Sequence, residues 1–204
     1  MVRLEKYRLL YLASGALFLV VAVAGGAWWE LIVGSVSSPV LYLGLSPFEL
    51  RVELLGSQLI TLSPFMNALF LSARLLAIFG SATIIVGSLL RGRALSRRLL
   101  NLRPFTMSVG FGALVLLGTA TVASLAVRFN PQIAQVAPDL REALMPYSSR
   151  QLTLNLYPLT RTESIVKASS TSRFTIWHWL ALLSGALCLA GTLTRKKEER
   201  RQPH

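Results

Sequence analysis

Few residues in this chain have the type and spacing for chemistry. Arg74 is the one charged side chain well inside a long apolar run, where charges mark ion pathways or anionic ligands unless they reach back to the interface. It stands ten residues after Pro64 and sixteen before Leu90, so it either snorkels to the outer boundary and pairs with a loop acid, or makes a functional contact. His178 sits between Trp177 and Trp179 with no Asp, Glu or Cys at ligand spacing, the setting of an interfacial residue rather than a metal ligand. Cys188 is the single cysteine, which rules out an internal disulfide and a cysteine-only zinc site. Ser14, Ser72 and Ser184 have no base nearby in sequence and suit bonds within or between helices. No phosphate-cradling glycine loop or metalloprotease His pair is present. The residue types therefore imply no catalytic group and no cofactor.

The elements that must position these residues are set by the apolar blocks. The chain has 204 residues, 53% hydrophobic and only 15% charged. Soluble proteins average about 25% charged. Four stretches approach or exceed the ~20 apolar residues of a spanning helix: Leu9–Ala27, Pro64–Leu90, Pro104–Val127 and Phe174–Thr194. The first run is longer than the ~7–15 residues of a signal-peptide core, so it is read as a retained helix. No span carries an acidic residue, which argues against a proton-coupled pump. Small residues at helix-packing spacing (Ser108 and Gly112, Ala181 and Gly185, Ser184 and Cys188) fit close helix approach within the bundle.

The net charge of +12 is explained by topology rather than by nucleic acid. Basic residues cluster before the first run (Arg3, Lys6, Arg8), in 91–103, and in the tail 195–204. The positive-inside rule puts both termini and the 91–103 loop in the cytoplasm of a cell-membrane protein. Trp28, Trp29, Trp177 and Trp179 then fall at the outer ends of the first and fourth spans, as interfacial anchors.

Two outer loops remain, 28–63 and 128–173. Glu49-Leu50-Arg51-Val52-Glu53-Leu54 alternates charged and apolar residues, the period of a strand with one wet face. Glu49, Arg51 and Glu53 should share that wet face and form a surface for a partner, with Val52 turned inward. Gly56-Ser57 reads as a hairpin turn into Gln58–Leu62, Val40–Leu45 as a further strand, and Ser63-Pro64 as the cap opening the second span. In the second loop Asn130–Met145 reads as interrupted helix, Gln151–Tyr157 as a strand, Ser164–Ala168 as a weaker one, and Ser169–Ser172 as a polar linker. The expected fold is an all-α four-helix transmembrane bundle with a small extracytoplasmic β-sheet built by both loops, in which the apolar face of Leu50, Val52 and Leu54 meets Leu152, Leu154 and Leu156. The coarse plan of span, stranded loop and span occurs twice.

This layout, with Trp28 and Trp29 near the start of the first loop, resembles the claudin-type membrane proteins. The paired first-loop cysteines and the Gly-Leu-Trp run of that family have no counterpart here, and a shared layout does not carry a function. The leading expectation is a non-enzymatic membrane scaffold or accessory subunit, its partners being the lipid bilayer and another membrane protein or a second copy. A transport component with Arg74 lining a path is the alternative. A third is an enzyme acting on an anionic lipid-borne substrate at the outer face, using Arg74 with carboxylates such as Glu30, Asp139, Glu142 or Glu163.

Overall fold

The computed structural model describes residues 6–35, 39–58, 63–90, 95–96, 99–100, 103–129, 149–155 and 165–201. Within them lie four long helices: α1 (Lys6–Ala24), α2 (Pro64–Leu89), α3 (Arg103–Phe129) and α4 (Ile176–Arg201). Six strands accompany them: β1 (Trp29–Gly34), β2 (Pro39–Ser46), β3 (Glu49–Leu54), β4 (Ser57–Gln58), β5 (Ser149–Asn155) and β6 (Ile165–Phe174). Lys6–Ala24, Pro64–Leu89 and Ile176–Glu198 are long and apolar enough to cross a membrane; in α3 the apolar stretch with described side chains is Val109–Thr121. The chain divides into two compact units. One comprises Met1–Gly26, Leu69–Ala113 and Ile176–His204; the other, Ala27–Ala68 and Leu114–Thr175. Asn130–Met145, Leu59–Leu62, Leu156, Tyr157 and the acids Asp139, Glu142 and Glu163 lie outside the described residues.

In the helical unit, α1 buries Tyr11, Ser14, Gly15, Phe18, Val21 and Ala22 along one stripe, the i, i+3, i+4, i+7 pattern of a packed helix face. That stripe meets α4. The Ser14 hydroxyl donates to the Ser184 carbonyl at 2.8 Å, and the Ser184 hydroxyl donates to the Ser14 carbonyl at 2.9 Å. One turn away the Tyr11 hydroxyl bonds Thr192 Oγ1 at 3.1 Å, its ring lying where a Cβ on Gly191 would be only 3.2 Å away. Against α2, a Cβ on Gly15 would come within 2.9 Å of Ile85 Cγ1 and 3.2 Å of the Ser81 carbonyl oxygen. Small residues are what permit these approaches. Val23, Leu71, Leu75, Phe79, Val86, Leu182, Leu183 and Leu189 are exposed, a girdle of large apolar side chains suited to lipid. Two basic residues assigned to topology also cap carbonyls: Arg8 Nη1 donates to Leu90 at 2.8 Å and Arg195 Nη1 to Leu100 at 3.4 Å.

The first helix stops at Ala24, three residues before the expected end of its span. Gly25 N still donates to the Val21 carbonyl at 3.0 Å, in a geometry where any Cβ would collide with that carbonyl. The fourth helix starts at Ile176 because Phe174 belongs to β6. Ser63 caps α2 as anticipated, its Oγ accepting from Met66 N at 3.3 Å.

The other unit holds one antiparallel sheet in the order β4-β3-β2-β1-β6-β5. Both loops contribute, four strands from the first and two from the second. The expected Val40–Leu45 strand extends to Pro39–Ser46. It turns into β3 through Ser46-Pro47-Phe48-Glu49, where Ser46 Oγ accepts from Phe48 N at 3.1 Å and Glu49 N at 3.0 Å. The Ser169–Ser172 linker is instead the middle of the ten-residue β6. The contact anticipated between Val52 and Leu152 also differs. Both side chains lie on the buried face, but β2, β1 and β6 intervene, a separation of about 19 Å at ~4.8 Å per strand.

The β3–β4 turn lies one residue earlier than the Gly56-Ser57 expectation. Leu54 pairs with Ser57, so Leu55 and Gly56 form the loop, with φ of 50° and 76°. Two positive φ values are the type I′ pattern that matches strand twist, and a leucine there carries a Cβ clash of roughly 1–2 kcal/mol. Leu55→Asn, or Leu55→Gly, should therefore raise the unfolding midpoint of the sheet, by roughly 0.5–1 kcal/mol. Thermal unfolding of the purified protein, followed by protease sensitivity of the loop, would measure it.

Candidate functional site

The alternation of β3 sets up two unlike faces. Leu50, Val52 and Leu54 are buried beside Leu41 and Leu43, Leu31 and Val33, then Ser170, Ser172 and Ala168, and finally Leu152. Glu49, Arg51 and Glu53 occupy the opposite face, together with Tyr42, Gly44, Glu30, Arg173, Thr171, Ser169, Lys167, Gln151 and Thr153. Glu49, Arg51 and Glu53 therefore lie on one face of β3.

Register places the charges on this face in order. Arg51 on β3 is opposite Gly44 on β2, Gly44 opposite Glu30 on β1, and Glu30 opposite Arg173 on β6. Arg173 Nε contacts Glu30 Oε1 at 2.7 Å, and Arg51 Nη2 contacts Glu49 Oε2 at 3.3 Å. The gap in the row belongs to Tyr42, whose phenol leans over the neighbouring glycine: a Cβ on Gly44 would be 2.9 Å from its hydroxyl oxygen. A larger residue at 44 would displace the ring. Burial, then the nearby Glu30 carboxylate, hold the Tyr42 phenol above its ordinary value of 10.0. It stays neutral and able to donate a hydrogen bond between Glu30 and Arg51.

That position has a consequence at high pH. The unfolded phenol ionises near pH 10, before the folded one, so stability is full below that value and falls as pH rises toward the folded value. Tyr42→Phe should remove this alkaline component, and Glu30→Gln should reduce it. Stability measured against pH, alongside the phenolate absorbance, tests both.

The buried face carries its own polar detail. Trp29 Nε1 donates to Ser172 Oγ at 3.0 Å, so a serine on β6 satisfies an indole N–H lying over the sheet. Trp29 is thus a strand residue as well as a residue at the end of the first apolar run. Trp28 N donates to the Leu45 carbonyl at 2.7 Å, Thr175 N donates to the Trp28 carbonyl at 2.9 Å, and the Trp28 ring meets Phe48 edge-on at 6.1 Å. Trp177 and Trp179 open α4, and Trp179 stands exposed beside His178 with their rings edge-on at 5.5 Å.

Arg74 lies on α2 between buried Ala73 and exposed Leu75 and is itself half-buried, with its Nε fully enclosed. At 1.5 Å per residue it sits about 15 Å along the helix from Pro64. Among the described residues no three His, Cys, Asp or Glu side chains come together as a metal site. Of the carboxylates considered for an outer-face enzyme, Glu30 is described, and it is engaged by Arg173. What the sheet offers chemically is a fixed pattern of charges and hydroxyls, suited to recognition. No family model matches the chain, and no curated protein or solved structure shows significant similarity to it, the claudin-type layout notwithstanding.

Proposed function

We propose that this protein is a multi-pass membrane scaffold or accessory subunit that binds a protein partner through the sheet formed by its two outer loops. One observation carries the reading: strands from the two loops, more than a hundred residues apart in the chain, share one ladder, β1 pairing with both β2 and β6. Two separate loops would have to be ordered on binding. A single ladder has already lost that freedom, which lowers the entropic cost of association. The ordered charges at Glu49, Arg51, Glu53, Glu30 and Arg173 then give the surface a specific electrostatic pattern.

The proposed topology has four spans, with both termini and the 91–103 loop cytoplasmic and the sheet outside. Three apolar helices and the basic clusters support it. Leu95 and Thr171 are exposed and lie in segments assigned to opposite sides. In a Cys188→Ser background, an impermeant thiol reagent on intact cells should label Thr171→Cys and spare Leu95→Cys. Labelling of Leu95→Cys would overturn the topology.

The enclosure of Arg74 Nε keeps a transport reading as the specific competitor. Mild detergent extraction with identification of co-purifying protein separates the two. Assembly expects Arg74→Leu to retain the partner and sheet variants to lose it. Transport expects Arg74→Leu to abolish flux with the partner retained.

A further inference from the structure

Three basic clusters far apart in the chain meet at one end of the helical unit. Arg8 of α1 donates to the Leu90 carbonyl just past α2, and Arg195 of α4 donates to the Leu100 carbonyl. Between those carbonyls in sequence, the Ser96 hydroxyl donates to the Gly87 carbonyl at 2.8 Å and ties its segment to α2. The terminal helices run side by side here: Tyr11 bonds Thr192, and three residues further on each helix stand Arg8 and Arg195. Lys6 is two residues from Arg8, and Lys196 and Lys197 are one and two residues past Arg195. All three lysines therefore lie within about 3 Å of the arginines along the helix axes. They are exposed, and none makes an ion pair among the described residues.

The chain supplies little to neutralise this charge. Segments 1–8, 91–103 and 195–204 hold three, five and five basic residues against three acids, Glu5, Glu198 and Glu199. Like charges held together repel, which favours an anion from outside. What adjoins the cluster identifies its source. Leu9, Leu89 and Leu193, each within two residues of Arg8, Leu90 or Arg195, are exposed and continue the apolar girdle up to the cations. Hydrocarbon-facing leucines directly below ammonium groups mark the depth of a phospholipid phosphate. A nucleic acid or a free phosphate would leave those leucines in water.

We propose that this end of the helical unit binds anionic glycerophospholipid, with Lys6, Lys196 and Lys197 pairing with headgroup phosphates and the exposed leucines lying against acyl chains. Arg8 and Arg195 hold the three segments together through their carbonyl bonds. The inference is independent of what the outer sheet binds.

The test uses the full-length chain in nanodiscs of equal parts phosphatidylglycerol and phosphatidylcholine, with native mass spectrometry counting the lipids retained on release. The unaltered chain should keep phosphatidylglycerol at least about fivefold over phosphatidylcholine, the factor that corresponds to ~1 kcal/mol for one surface charge. Lys6→Gln, Lys196→Gln and Lys197→Gln combined should bring the ratio close to one, with Arg8 and Arg195 left in place to hold the fold. Lys167→Gln, which removes an exposed lysine of the sheet, should keep the original ratio. Two measurements need no variant. High salt before release should erase the preference, because exposed charges are screened. Water-soluble glycerophosphoglycerol, which lacks acyl chains, should not displace the lipid. Equal retention of both lipids by the unaltered chain would overturn the inference, as would an undiminished preference in the triple variant. Displacement by glycerophosphoglycerol would overturn it too, by showing a site for soluble anions. Nanodiscs are open on both sides, so the result stands or falls separately from the topology and from the outer partner.

Discussion

Val52→Asp should dismantle the sheet while leaving the apolar helices in the membrane. Val52 is 2% exposed, is paired with Leu43, and lies between Leu50 and Leu54 on the buried face. The substitution forfeits a buried valine, worth about 1.5–3 kcal/mol, and puts an unpartnered carboxylate among leucines. A combined loss of about 4 kcal/mol or more is at the severe end for one substitution, and a large share of what a small domain possesses. α1, α4 and most of α2 belong to the other compact unit, whereas most of α3 shares the sheet's, so the damage should spare those three helices. Limited proteolysis should then cut within β1–β4 and β5–β6 while membrane-protected fragments persist, and partner recovery should fall to background. Glu53→Gln, one residue along but on the polar face, is the matched control and should change stability by no more than ~1 kcal/mol. A sheet still protease-resistant with Asp at position 52 would contradict the face assignment itself.

The second large effect is expected at Gly15→Leu. The space for a first carbon is already tight there, at 2.9 Å from Ile85 Cγ1 and 3.2 Å from the backbone oxygen of Ser81. Ile85 can adjust its rotamer, but the carbonyl belongs to α2 and moves only with the helix. Overpacking of this kind costs about 1–3 kcal/mol. It also strains the neighbouring Ser14–Ser184 exchange, which requires α1 and α4 to hold their separation. Unfolding in mixed detergent micelles should show the loss, whereas Leu9→Ala, at an exposed position on the same helix, should show little. Gly15→Ala should fall between them.

Where side-chain size and polarity tracked burial, the fold could be read directly. Glu49–Leu54 alternates in sequence and in burial, so β3 and its faces were legible residue by residue. β1 was not, because Ile32 is buried on the otherwise polar face and interrupts the alternation of Leu31-Ile32-Val33. β6 was legible only at its start, within the expected Ser164–Ala168 strand, and its remainder reads as a polar linker for the opposite reason. Its buried positions are Ala168, Ser170 and Ser172, small residues that leave no apolar period to detect. The hairpin turn is displaced because Leu55, a residue type that rarely takes a positive φ, shares one with Gly56. In the candidate site, the shared face of Glu49, Arg51 and Glu53 follows from strand period. The bond from Arg173 to Glu30, and the phenol of Tyr42 over Gly44, depend on cross-strand register, which no local pattern encodes.

The pairing of Ser14 with Ser184 has a consequence for how the protein is made. These residues are 170 positions apart, and Trp29 and Ser172 are 143 apart. At ~5–20 residues per second of synthesis, α1 waits roughly 10–30 s before α4 emerges to receive its hydroxyl, and β1 waits nearly as long for β6. During that interval the first helix carries the unmatched hydroxyls of Tyr11 and Ser14, and the first four strands expose an open ladder beside β1. The nascent chain is therefore unfinished until its last helix is released: a chain stopped between β6 and α4 holds the partner of β1 but not that of α1, and one stopped before β6 lacks both.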